Sequence, residues 1–243
     1  MTRLSVNINK IATLRNARGG EIPNVLKAAI DCQRFGAQGI TIHPRPDERH
    51  IRRKDVYEIK QIISTEFNIE GYPSPAFLEM VTKVKPDQVT LVPDPPDAIT
   101  SNAGWDTVQH ETFLKDVIAQ LRETGIRPSV FIDTSIRNIE NAAKTGAQRV
   151  ELYTEPYASA FDKSPEQAIR PFKDAALAAK DAGLEINAGH DLNLQNLSWF
   201  ISHIPFTKEV SIGHALIADA LYFGLENTIQ MYLNEIKKGT DKK

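Results

Sequence analysis

Residues 36–51 read GAQGITIHPRPDERHI, and the fold is decided by how this stretch is parsed. GITIH, 39–43, is a short β-branched run that is apolar on nearly every position, as a strand covered on both faces must be. It follows a helical pattern that stops at Gly36 and it ends on a histidine, after which the chain turns polar and proline-rich. The same grammar recurs along the chain. Strands are expected at 4–9, 39–43, 68–71, 88–92, 129–133, 149–153, 185–188 and 210–213, with VTLV and SVFI as continuous as GITI.

The intervening segments carry apolar residues at helical spacing. Val25, Leu26, Ala29, Ile30 and Cys32 mark a helix over 23–35, and Val56, Ile59, Ile62 and Ile63 mark one over 54–65. Ser74-Pro75 and Ser164-Pro165 are cap-plus-proline starts. Helices are also expected over 112–123, 136–145, 194–204 and, as one long element, 215–238. Alternation of eight strands and helices in 243 residues, with no break in composition, predicts one α/β domain, a single parallel (β/α)8 TIM barrel with extra helices. A doubly wound open sheet would place a glycine-rich turn after its first strand; here that segment is NKIATLRNARGG, without GxGxxG. The stretch after the fourth strand, 93–110, is too long for a plain βα connection and reads as a lid, with Trp105 as its anchor. Residues 239–243 read as a frayed tail.

The bulk chemistry excludes several classes. A net charge of -2, with 25% charged and 41% apolar residues, argues against nucleic acid or a membrane surface as partner. No apolar run approaches a membrane span, and MTRLSVNINK lacks the apolar region of a signal peptide. The lone Cys32 forms no internal disulfide and sits on an apolar helix pattern, so it reads as core. A cytoplasmic location is the expectation.

Barrel enzymes work at the C-terminal ends of their strands. Those ends carry Asn7 and Asn9, which a strand over 4–9 would place on one face, then His43, Glu70, Asp133, Glu151, His190 and His214. Three of the six histidines fall at strand ends. Glu151, between Val150 and Leu152, should point into the barrel, where a carboxyl is paired or its pKa rises. Asp133 has no assigned role, since a strand-end Asp often caps the next turn. Histidine exchanges protons near neutral pH and a glutamate in a dry pocket can act as a base, a set suited to enolisation, imine formation and dehydration. Arg18, in RNARGG, and Arg45 with His50, in HPRPDERH, form two basic patches, and the Gly213-His214 pair precedes the last helix. Arginine forks and helix N-termini both bind phosphate. Two patches imply two phosphorylated ligands or one bisphosphate. Two rival readings use the same residues. His43, His190, His214, Glu70 and Glu151 could form the N/O site of a metal-dependent hydrolase or isomerase, and a degenerate barrel could bind a phosphorylated metabolite without catalysis.

VNINKIATLRNARG, GITIHPRPDERHI, NIE, LVP, FID, VELYT, NAGH and IGHA, in this order from Leu4 to about Gly224, resemble the pyridoxine 5'-phosphate synthase family. The resemblance implies a ring-closing condensation of 3-amino-2-oxopropyl phosphate with 1-deoxy-D-xylulose 5-phosphate, releasing pyridoxine 5'-phosphate, inorganic phosphate and water. It implies no metal or organic cofactor and a homo-octamer built from dimers. By matching positions it makes His43 and Glu70 proton acceptors, His190 the proton donor and Glu151 the transition-state stabiliser. Asn7, Arg18, Gly213 and His214 then bind the amino-ketone phosphate, and Arg45, His50 and Thr100 the deoxyxylulose phosphate. The chain departs from the pattern twice. Asn9-Lys10 stands where many members have Asp-His in contact with the deoxyxylulose phosphate. Asp191 follows NAGH where many have Gly, at a position the family uses for a backbone contact near a phosphate site.

Overall fold

The structure, a computed structural model, describes residues 1–94 and 103–241. In chain order the elements are β1 (Arg3–Asn7), α1 (Asn9–Asn16), α2 (Val25–Arg34), β2 (Gly39–Ile42), α3 (Arg53–Ile62), β3 (Glu66–Gly71), α4 (Pro75–Val84), β4 (Gln88–Leu91), α5 (Glu111–Glu123) and β5 (Arg127–Ile132). There follow α6 (Ile136–Lys144), β6 (Arg149–Leu152), α7 (Glu155–Phe161), α8 (Pro165–Asp181), β7 (Glu185–Ala188), α9 (Leu197–His203), β8 (Thr207–Ile212), α10 (His214–Phe223) and α11 (Leu225–Asp241). The strands close in sequence order, every pair parallel, with β1 hydrogen-bonded to both β2 and β8. This is the expected (β/α)8 barrel, and α1, α7 and α10 are extra to one helix per strand.

Local chemistry sets the helix starts. The Asn24 side chain accepts from the Lys27 N–H, Ser74 from Phe77 and Ser135 from Asn138, each satisfying a donor that the first turn leaves free. Pro75 and Pro165 occupy first-turn positions where a missing N–H costs nothing.

Several expected bounds are corrected. The first strand ends at Asn7, not at residue 9; Asn9 opens α1, so the two asparagines do not share a strand face. Strands β3, β5 and β8 begin earlier than their apolar runs, at Glu66, Arg127 and Thr207, since each opens on a polar residue. The expected helix over 215–238 is two helices, broken at Gly224 with φ of 77°, a conformation glycine adopts without the Cβ penalty. The expected tail is helical as far as Asp241, with Gly239 buried; residues 242–243 lie outside those described.

The two faces of the barrel wall differ in chemistry. Leu4, Val6, Ile40, Ile42, Ile69, Leu91, Val130, Val150, Leu152 and Val210 face the helices and are wholly buried. The alternate residues face inward and are mostly polar, Phe131 excepted, in place of the branched aliphatic layers common in such barrels. At the N-terminal end Glu66 pairs with Arg3 and Arg149, and Arg149 with Glu185 and Gln88. Above them Ser5 meets Thr41 at 2.8 Å, and Thr90 donates to Asn68 at 3.1 Å. Ser129, Asn187 and Ser211, in the same interior, have side-chain atoms without a hydrogen-bond partner among the described residues. This largely polar interior leads upward to the carboxylates and histidines at the strand ends.

Candidate active site

At the C-terminal mouth the barrel assembles what the sequence scatters. Nδ1 of His43, just past β2, lies 3.8 Å from Oε2 of Glu70 on β3, and both side chains are largely buried. The Asn7 side-chain amide, at the end of β1, donates to the same Glu70 oxygen at 3.4 Å. Asn9 binds this corner from outside the strand: its N–H donates to Asn7 Oδ1 at 3.1 Å, and its Oδ1 accepts from the His43 N–H at 2.9 Å. Asn9 therefore fixes the backbone of His43 and the rotamer of Asn7, which an acceptor oxygen does without a negative charge.

Glu151, as expected, points into the barrel and is 4% exposed. Thr90 donates to its Oε2 at 3.4 Å. Burial pushes its carboxyl up to about 7, against a smaller opposing pull from His190. Glu70 is raised well above the ordinary carboxylate range, first by burial, then by the neighbouring Glu151 and Asp94. His43 is lowered well below the ordinary imidazole value, first by burial, then by the positive charge of Arg45, with smaller contributions from His50 and Arg49. At neutral pH His43 is a neutral ring with a lone pair to accept a proton, and the Glu70–Glu151 pair retains protons that solvent carboxylates would have lost. Such a site moves protons without large charge changes, as acid–base chemistry at a carbonyl or imine requires.

The arm after β2 is anchored at both ends. Arg45 Nη2 lies 2.7 Å from Asp94 Oδ2. The buried Arg15 makes a two-point contact with Asp55, at 2.7 and 2.9 Å, and donates to the His50 carbonyl at 3.0 Å; Asn16 donates to that carbonyl at 2.8 Å. His50 Nδ1 accepts from the Ile51 N–H at 3.0 Å. Burial and the charges of Arg45 and Lys10 push its pKa to about 4. His50 is thus neutral, and with Nδ1 accepting, its Nε2–H is a donor. The exposed Lys10 lies near enough to act on it. A cleft of about 270 Å³ lined by Pro44, Arg45, Arg53, Ser74 and Phe77 adjoins this arm; none of the acid–base residues line it, so it is not the reaction chamber.

On the opposite side, Gly189 passes the β8 backbone so closely that a Cβ would lie 1.9 Å from the Ser211 carbonyl oxygen, and a Cβ on Gly213 would meet Asn7 at 3.1 Å. These glycines let the ends of β7 and β8 close on the mouth. His190 packs edge-on against Tyr153, centroids 5.4 Å apart, and its Nδ1 is 2.5 Å from Asp191 Oδ2. His214, the first residue of α10, is exposed. Arg18 lies exposed in the turn after α1, outside the cluster. Thr100 and the middle of the expected lid, 95–102, lie outside the described residues. Trp105, beyond them, is buried, donates to the Leu91 carbonyl at 3.1 Å and stacks with Tyr72. Asp133 accepts from the Ser135 N–H at 2.9 Å, a turn cap.

Sequence reasoning misses Asp94, Arg15, Asp55 and Tyr153. Asp94 stands in a proline-rich loop that reads as solvent-facing, and Arg15 lies on a helix that is absent from the expected order. No pattern in the sequence pairs residues 15 and 55; only the closed barrel does.

Over residues 4–238 the chain matches the family model described as Pyridoxal phosphate biosynthesis protein PdxJ. It is 64% identical over 238 residues to the pyridoxine 5'-phosphate synthase of Cytophaga hutchinsonii, covering 98% of this chain and 100% of that one. It is 63% identical over 234 residues to that of Bacteroides thetaiotaomicron, covering 96% and 99%. Among solved structures it resembles a thiamine phosphate pyrophosphorylase from Pyrococcus furiosus (TM-score 0.65, 10% identity, 98% and 96% coverage). It also resembles phosphoribosylanthranilate isomerase from Thermotoga maritima (TM-score 0.61, 14% identity, 98% and 99% coverage). At such low identity these two speak for the barrel alone.

Proposed function

The chain belongs to the pyridoxal phosphate biosynthesis protein PdxJ family, and from that premise we propose that it catalyses the pyridoxine 5'-phosphate synthase reaction, the condensation of 3-amino-2-oxopropyl phosphate with 1-deoxy-D-xylulose 5-phosphate. The observation that carries this reading to the residues is the His43–Glu70 contact of 3.8 Å at the barrel mouth, with Asn7 on the same carboxylate oxygen. Joining an amine to a ketone, expelling water and phosphate and closing an aromatic ring is a series of proton transfers. In this reading neutral His43 accepts a proton from carbon or nitrogen, Glu70 accepts one in its ionised form after passing its own proton on, His190 supplies the proton that lets an oxygen leave as water, and Glu151 balances the charge of the cationic intermediates. Arg45 and the Nε2–H of His50 hold the deoxyxylulose phosphate, with Lys10 and Thr100 in support. Asn7, Gly213, His214 and Arg18 serve the amino-ketone phosphate, Arg18 by a movement of its turn or by reaching a neighbouring copy.

No metal or organic cofactor is needed in this scheme. The metal-dependent alternative lacks a geometric basis: among the described residues no three His, Cys, Asp or Glu side chains converge as ligands. Assembly into a homo-octamer belongs to the same proposal; Leu221 and Tyr222 on α10, 72% and 87% exposed, are apolar surface that a second copy would cover. Among the described residues no helix is long and apolar enough to cross a membrane, in keeping with a cytoplasmic enzyme.

The test is direct. The purified protein is mixed with both substrates, without added metal, and the pyridoxine chromophore and released phosphate are followed together. Equal amounts of the two products are expected, and neither when one substrate is omitted. Absence of product at any enzyme concentration overturns the proposal.

A further inference from the structure

Residue 191 holds a side chain where the backbone disfavours one. Asp191 has φ of 68°, in the left-handed region that glycine enters freely and that other residues enter at a cost, aspartate less than most. What this carboxylate touches is its neighbour: Oδ2 lies 2.5 Å from Nδ1 of His190, with both side chains about a third exposed. The turn around the pair is fixed. The His190 carbonyl accepts from the Thr154 hydroxyl, the Asp191 carbonyl from Asn196 Nδ2 at 3.4 Å, and the Leu192 N–H donates to the Gly189 carbonyl at 2.9 Å.

We propose that Asp191 is a positioning residue for His190: its carboxylate accepts the Nδ1 proton, so that the ring turns Nε2 to the chamber as its proton-transferring atom. The proposal rests on the reading of His190 as the proton donor. A donor must present its proton in a fixed direction, and a carboxylate on Nδ1 fixes both the tautomer and the orientation of the ring. Tyr153, just past β6, packs against the ring, Glu151 on β6 interacts with it by charge, and His214 at the start of α10 acts on Asp191. Asp191 itself is held below the ordinary carboxylate range, mainly by its hydrogen bond to His190 and further by the charges of His190 and His214. It therefore stays ionised through neutral pH, as an acceptor for the Nδ1 proton. The arrangement also accounts for a carboxylate beside a site that is to bind phosphate: with His190 protonated the pair is neutral, and the anion meets no net repulsion.

The experiment uses the full chain labelled with ¹⁵N-histidine, as wild type, Asp191→Asn and Asp191→Gly, both replacements being compatible with a positive φ. Ring nitrogen shifts give the tautomer of His190 without reference to turnover. The Nδ1–H form is expected in wild type, and a mixture with the Nε2–H form in the variants. Turnover should fall about tenfold, with each KM nearly unchanged. An unaltered His190 tautomer and an unaltered kcat in both variants overturn the proposal. So does a fall in KM alone, which would make Asp191 a tuner of phosphate affinity. If the wild type makes no pyridoxine phosphate, the functional reading fails by itself, and the nitrogen shifts still decide whether Asp191 sets the state of His190.

Discussion

Arg45 Nη2 and Asp94 Oδ2 lie 2.7 Å apart, with the two side chains only 5% and 4% exposed. The pair joins the segment after β2 to the segment after β4, so the arginine assigned to a phosphate already has a buried anion. Removing one partner of a buried pair leaves an uncompensated charge and costs about 3–5 kcal/mol. Asp94→Asn is expected to melt at lower temperature than wild type, and inorganic phosphate is expected to recover more of the loss than it adds to wild type, because an incoming anion replaces the missing carboxylate. Thermal unfolding across a phosphate titration checks this; equal phosphate gains in both proteins would count against Arg45 as the anion contact.

Glu151 makes stability depend on pH in a set direction. Its carboxyl moves from an ordinary 4.5 to about 7 on folding. Between those values the folded protein holds a proton that the unfolded chain has released, so stability falls as pH rises from about 4.5 through 7. Glu151→Gln has no proton to lose. The variant is expected to match wild type at pH 4.5 and to exceed it above pH 7 by up to about 3 kcal/mol. Urea unfolding at several pH values gives the comparison, and parallel curves for the two proteins would refute it.

The Arg15–Asp55 contact stabilises the arm that carries His50. Arg15→Met removes a buried two-point pair and leaves Asp55 facing the Arg52 N–H alone. A loss of about 3–5 kcal/mol is expected, together with a raised KM for the deoxyxylulose phosphate, because the His50 carbonyl loses one of its two donors. Equilibrium unfolding and steady-state kinetics read the two effects separately.

Gly189→Ala tests the close approach of β7 and β8. The added methyl would overlap the Ser211 carbonyl, and backbone cannot retreat as a side-chain tip can. A destabilisation above about 3 kcal/mol is expected, the range of overpacked or strained sites. A soluble variant with unchanged melting temperature would show that these strand ends are looser than their contacts imply.

The sequence by itself determined the barrel. Runs such as GITI and VTLV, apolar on both faces, demand cover on both faces, and their alternation with helical patterns over one domain's length leaves few other arrangements. It also determined which residues stand at the strand ends, because strand period and strand ends are local properties: His43, Glu70 and Glu151 appear in their expected places, and His190 follows β7. Tertiary structure decided what the local pattern cannot express. Whether Asn9 lies in a strand or caps a corner depends on where β1 meets α1. The polar starts of β3, β5 and β8 read as loop until Glu66 and Glu209 are seen to pair with Arg127 and Arg149 inside the barrel. The partners of Arg45 and Arg15 lie 49 and 40 residues away, and only closure of the barrel brings them into contact. Closure also makes the site's chemistry, since the altered proton affinities of His43, Glu70 and Glu151 come from burial and from neighbours on other strands, and neither exists in the linear chain.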